Sequence, residues 1–302
     1  MLEVPLDPSL HGRVAAEHVG PVPLPVHTPI LIRGHHGWVS SPSQPSFYLP
    51  VPEDGVYTSL STTAGPWGTD SQHGGPPAAL LTRAIEALDG GAQRVIGRIT
   101  MELLGPVPVG PLSVHASVVR PGRSVDLCEA TLYDVERGRP VATAAAWRFP
   151  RSDDGPRPGL EPPVHSPDDG VHHDRPVSWS GGYLDAVTWR WIKGASTEPG
   201  PGVVWMRPSV DLVAGEQMSP MQRLMCCVDS ASGISSELDP AEWVFLNTEL
   251  TVHVLRPPAG EWVCVDAETT LGGGAVGVAT SSVYDSQGLV GRSAQALLTL
   301  RR

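Results

Sequence analysis

Two stretches of this 302-residue chain put reactive side chains in a pattern that can support chemistry. The first is a helix-forming run from Pro220 to about Ser232. Met218, Met221, Met225, Val228 and Ser232 trace one side of it, and Asp229 falls four residues after Met225, at the edge of that apolar stripe. A carboxylate there costs free energy unless it is hydrogen-bonded, and burial raises its pKa toward the range of a general base. Amide side chains nearby would satisfy it or hold a water, whereas the plainer alternative is an Asp that caps a loop or reaches solvent. The second stretch is His73-Gly74-Gly75, immediately before a helix candidate at Pro76 to Leu88. It can present an imidazole and bare backbone N–H groups to an acyl carbonyl or a phosphate. The same residues also make a tight turn with a packed histidine, and no partner acid stands near them in the sequence.

Other patterns exclude more than they suggest. Gly272-Gly273-Gly274-Ala275-Val276-Gly277 has the spacing of a dinucleotide-binding loop, but an alternating strand follows it and no βαβ unit exists, so it reads as a hairpin turn. There is no G-x-S-x-G elbow for a serine hydrolase. His35-His36 and His172-His173 lie in loop-like segments and read as solvated histidines, so no metal is expected. Cys128, Cys226, Cys227 and Cys264 lie in apolar runs without metal-ligand spacing and are expected as buried free thiols. A net charge of -11 argues against nucleic acid or anionic membrane as a partner. The start, Met1 to Pro5, has no basic or apolar leader character, and no apolar run approaches the ~18 residues of a membrane span, so a cytoplasmic protein is expected.

The elements that must position these residues form an imperfect repeat. Residues 1–45, rich in Pro and His, read as an N-terminal extension or lid, and 151–177, rich in Pro, Gly and Asp, as a linker. Between and after them, 46–150 and 178–302 share one pattern. Thr100 to Pro106 leads to strands at Leu112 to Val119, Val125 to Asp134 and Ala142 to Phe149. Thr251 to Pro257 leads likewise to strands at Trp262 to Thr269, Val276 to Asp285 and Ser293 to Leu300. Each unit is thus a helix followed by an antiparallel meander, an α+β layer. Aligning the units sets Ile85 opposite Asp229, Ile96 opposite Asn247 and Ala145 opposite Gln295, so the first unit has no polar group at any of the three positions.

The segments Trp67 to Leu81, Leu250 to Trp262 and Gly291 to Gln295 resemble the double-hotdog acyl-CoA thioesterase family related to bacterial acyl-CoA thioesterase II. The resemblance implies a double hotdog, two antiparallel sheets each wrapped around a central helix, joined as one continuous sheet within the chain and assembled as a dimer of double hotdogs. It implies hydrolysis of an acyl-CoA or carrier-bound thioester without a cofactor, in the second unit, with Asp229, Asn247 and Gln295 as the group that positions the attacking water. His73 and Gly74 would meet the acyl carbonyl, and Arg256 and Arg292 the phosphates of coenzyme A or ordinary surface partners. Asn247 stands where the better-known relatives have Thr, and strand parity turns it away from the helix unless a bulge intervenes. Two other functions fit the same fold: a natural-product enzyme for cyclisation, dehydration or release of a polyketide-like intermediate, and a non-catalytic acyl-binding module.

Overall fold

The computed structural model describes residues 45–152, 161–163 and 165–302. The expected extension up to residue 44, its His35-His36 pair and the middle of the linker lie outside the described residues. The first half holds β1 (Ser46–Pro50), β2 (Val56–Ser59), α1 (Gly75–Glu86), β3 (Arg94–Leu103), β4 (Pro111–Arg120), β5 (Asp126–Asp134) and β6 (Arg139–Pro150). The second holds α2 (Gly182–Ala186), β7 (Val187–Lys193), β8 (Gly202–Pro208), β9 (Asp211–Val213), α3 (Pro220–Val228), α4 (Ala231–Ile234), β10 (Trp243–Asn247), β11 (Glu249–Val254), β12 (Val263–Leu271), β13 (Val276–Asp285) and β14 (Gly288–Arg301).

Both long helices start where the sequence permits. Pro76 and Pro77 stand in the first turn of α1, and Ser219 with Gln222 forms a reciprocal capping box at α3. The helix expected to run on to Ser232 instead breaks at Asp229 and Ser230 and resumes as α4. The strands alternate buried and exposed residues, so one face covers the helices: α1 lies against β4, β5 and β6, and α3 against β8 and β12.

The expectation that the two units join into one continuous sheet holds, and the result is a single mixed sheet rather than two antiparallel ones. Among the described residues all strands belong to one 14-stranded sheet, in the order β7-β8-β12-β13-β14-β11-β3-β6-β5-β4-β2-β1-β9, with β10 on β14. The sheet is mixed, since β9 pairs in parallel with β1. The physical reason is edge satisfaction: β3 and β11 would each leave a row of unpaired N–H and C=O groups, and pairing them removes both edges. Thr100 pairs with Thr251, its own counterpart in the repeat, and their hydroxyls are 3.0 Å apart, so the repeat's local axis passes through this contact. The second half also lends β9 to the outer edge of the first.

The register revises one alignment. Ala279 and Cys128 are counterparts, and they pair with Gln295 and Ala146 respectively, so Ala146 rather than Ala145 stands opposite Gln295. The four cysteines are free and buried, and burial pushes Cys128 up to about 11 and Cys264 up to about 12. Among the described residues no helix is long and apolar enough to cross a membrane.

Because the junction strands, the helices and β9 tie the halves together, they should unfold as one. Calorimetry should give a single transition whose van't Hoff and calorimetric enthalpies agree, and two resolved transitions would contradict this.

Candidate functional site

The site begins where α1 and α3 meet. The C-terminal end of α3 faces the N-terminus of α1, and the C-terminal end of α1 faces the N-terminus of α3, so the helices run antiparallel. At one end Glu86 is consumed by capping: its carboxylate accepts hydrogen bonds from Ser219 Oγ at 2.8 Å and Gln222 Nε2 at 2.8 Å. Burial pushes its pKa up against the pull of those two donors.

At the other end Asp229 sits as the C-cap of α3, only 4% exposed. Pro76 and Pro77 have no N–H, and Gly74 supplies no side-chain cap, so α1 does not consume this carboxylate as α3 consumes Glu86. A Cβ on Gly74 would lie 2.7 Å from both Asp229 oxygens, and one on Gly75 would lie 2.2 Å from the carbonyl oxygen of Cys226. The pair of glycines is therefore a packing requirement as well as a turn.

Three expected residues converge on Asp229. Asn247 Nδ2 donates to Oδ1 at 2.9 Å. The parity problem is resolved by a bulge at Thr248: Asn247 pairs with Leu297 and Thr251 with Ala294, leaving one extra residue on the β10–β11 side. The first half has the same irregularity between Ile96 and Arg98. His73 Nδ1 lies 3.1 Å from Asp229 Oδ2 and also 3.1 Å from the N–H of Gly75. A ring nitrogen has one in-plane position, so Nδ1 either accepts from Gly75 or donates to Asp229, and a proton held there is shared with the carboxylate. Its ring is fixed by stacking, with Tyr183 at 3.9 Å between centroids and Trp67 at 6.1 Å. Tyr183 donates to Cys226 O at 2.8 Å, and burial keeps its hydroxyl pKa well above the ordinary value, so it stays a neutral support. The partner acid for His73 was invisible in sequence because it comes from the other half.

Gln295 is brought to Asp229 differently from the expected way. It is fully buried, and its amide donates to the backbone carbonyl of Asp229 at 3.0 Å while accepting from Ser232 N–H at 3.1 Å. It therefore bridges the break between α3 and α4 and fixes where Asp229 stands. Arg256 and Arg292 are elsewhere. Arg256 is spent on buried Asp285 and on Gly288 O, and Arg292 donates to Ser282 Oγ at the surface.

Asp229, His73 and Asn247 line a cleft of about 920 Å³. Among the described residues, the first half contributes Pro66, Trp67 and His73 to its lining. The expected linker forms part of this cleft's wall: Val171 pairs with Trp191 of β7, and His172, His173 and Arg175 line the cleft. At the counterpart positions of the first half, Ile85, Ile96 and Ala146 are buried hydrocarbon. Two residues beyond Ala146 on β6, buried Arg148 pairs with Asp126 at 2.9 Å and donates to the carbonyls ending α1. No group of three or more His, Cys, Asp or Glu placed to hold a metal occurs among the described residues.

Comparison with known proteins bears on the family and the fold. The Acyl-CoA thioesterase N-terminal domain family matches residues 63–149, and the Acyl-CoA thioesterase C-terminal domain family matches residues 163–299. No curated protein sequence matches the chain. Among solved structures, a Thermobifida fusca YX protein described as a thioesterase II is 18% identical with a TM-score of 0.63, covering 84% of this chain and 95% of that one. A hot dog fold protein of unknown function from Alicyclobacillus acidocaldarius is 17% identical with a TM-score of 0.62, covering 81% and 92%. An acyl-CoA thioesterase II from Mycobacterium marinum is 14% identical with a TM-score of 0.58, covering 84% and 96%. These likenesses establish a hotdog fold, and the two family matches, which together span most of the sequence, establish that the chain belongs to the acyl-CoA thioesterase family.

Proposed function

We propose that the protein hydrolyses an acyl thioester, with acyl-CoA as the substrate class, at a single centre in its second half that the first half completes. The observation that carries this reading is the Asp229 carboxylate, buried at the end of a helix yet open to a large cleft and held by Asn247 and His73. The resemblance also implies a homo-oligomer.

In this mechanism Asp229 accepts a proton from a water held against the cleft floor, and the water oxygen bonds to the acyl carbon. The carbonyl oxygen gains charge, which the Gly74 N–H at the start of α1 stabilises, since Gly75 N–H serves His73 and the two prolines offer none. The carbon–sulfur bond then breaks. The proton then passes from Asp229 to the departing thiolate, giving a free acid and a thiol. Asn247 keeps one carboxylate oxygen oriented, and Gln295 acts as a positioning residue through the backbone of Asp229.

A carrier-tethered thioester is the second reading. Its support is the charge of the cleft: Glu198, Glu237 and Asp239 stand against Arg175, already paired with Asp185, and Arg302. Such a lining does not attract a polyanionic nucleotide. On the first reading, acyl-CoA should be turned over with a lower KM than the same acyl group on pantetheine; on the second, the two should be equal.

Asp229→Asn keeps the shape and removes the base, so kcat should fall by about 10²–10⁴-fold with the melting temperature nearly unchanged. Near-normal turnover would rule out Asp229 as the base. The adjacent glycines should separate function from fold. Gly74→Ala should displace the Asp229 carboxylate and lower kcat strongly in a folded protein. Gly75→Ala pushes on backbone and should cost about 1–3 kcal/mol of stability in chemical denaturation. Equal effects of the two on stability, with activity preserved in Gly74→Ala, would contradict the packing described.

A further inference from the structure

The side chains around the acyl position are unusual in kind. Of the eight tryptophans among the described residues, five, Trp67, Trp179, Trp189, Trp191 and Trp243, line the cleft that holds Asp229, and Phe245 joins them. Their arrangement follows from the strands. Trp243, Phe245 and Asn247, which precede the Thr248 bulge, fall on one face of β10; all three line the cleft, as do Val244 and Leu246 between them. At the ordinary strand rise, Phe245 is about 7 Å and Trp243 about 13 Å from Asn247 along the strand. A row of flat surfaces thus leads outward from the amide that orients the base. On β7, Trp189 and Trp191 are stacked two residues apart, with centroids 6.4 Å apart and planes 14° from parallel. Trp189 is locked by its Nε1–H donating to Leu184 O at 3.0 Å, and His173 sets its ring edge against Trp191.

An alkyl chain gains from any apolar surface and has no need of indoles; Leu184, Ile234, Leu238, Val244 and Leu246, which also line the cleft, would serve it alone. Held aromatic faces discriminate by geometry, because ring pairs prefer offset or edge-on contacts that a flexible chain cannot make. The cleft, at about 920 Å³, is also near the upper end for ordinary ligand pockets.

We infer that the acyl group this site takes is an aromatic one, an aryl or fused-ring acyl group seated along Trp243 and Phe245, rather than a straight fatty chain. The inference rests on the thioesterase reading for the word acyl, but its ring selectivity can be tested apart from hydrolysis.

The test compares thioesters of equal carbon count whose carbonyl is attached to a saturated carbon in each case: naphthylacetyl against dodecanoyl, and phenylacetyl against cyclohexylacetyl. The full chain should prefer the aryl member of each pair by roughly tenfold in kcat/KM, and Trp243→Leu and Phe245→Leu should each lower the aryl-to-alkyl ratio of kcat/KM. Equal or better turnover of dodecanoyl and cyclohexylacetyl thioesters would overturn the aryl inference and leave hydrolysis standing. If no thioester is cleaved, calorimetric binding of naphthylacetate and dodecanoate decides: a naphthylacetate preference lost in Trp243→Leu supports the inference while the hydrolytic reading fails, and no preference overturns it.

Discussion

The close approach of α1 and α3 is the contact on which the rest of this structure depends. With a Cβ at Gly75 only 2.2 Å from Cys226 O, these helices could not meet as they do with any other residue there. That approach sets the end of one helix against the start of the other, twice, and so brings a carboxylate from one half to a backbone turn from the other. Continuity of the sheet through β3 and β11 holds the two helices in that relation, since a shift between them would have to break the Thr100–Thr251 register.

The two helix ends are then used differently. Glu86 meets an α3 terminus equipped with Ser219 and Gln222, and the three side chains satisfy one another. Asp229 meets an α1 terminus made of Gly and Pro, which gives it little, and its remaining needs are met by Asn247, His73 and the cleft. The first half has hydrocarbon at the matching places, Ile85, Ile96 and Ala146, with the Arg148–Asp126 pair nearby closing the end of α1. A buried ion pair of that sort is a structural commitment, costly to break and of no use to a substrate. Duplication followed by this division of roles accounts for a chain with a scaffold half and a half with a cleft.

How much of this was legible in the sequence differs by residue. The repeat, the helix starts at proline and Asp229 at the edge of an apolar stripe could be read, because each is a local pattern of period or chemistry. The side on which Asn247 falls could not, because a bulge at Thr248 leaves no mark in residue type. The one-residue error opposite Gln295 has a similar source, since strand register is set by pairing across the sheet. The pairing of His73 with Asp229 joins residues from the two halves, and nothing local in either motif names the other. Trp189, Trp191 and Trp243 carry no local mark of a site, and the segment around Val171 reads as linker; only the folded sheet shows that they surround one space.

The central claim is a single centre per chain to which both halves contribute. Calorimetric titration of the full chain with a non-hydrolysable ketone analogue of an acyl thioester tests it most directly. The account predicts one equivalent bound per chain, with affinity lost alike on a first-half substitution, His73→Ala, and a second-half substitution, Asn247→Ala. Two equivalents per chain, or binding indifferent to His73, would contradict it.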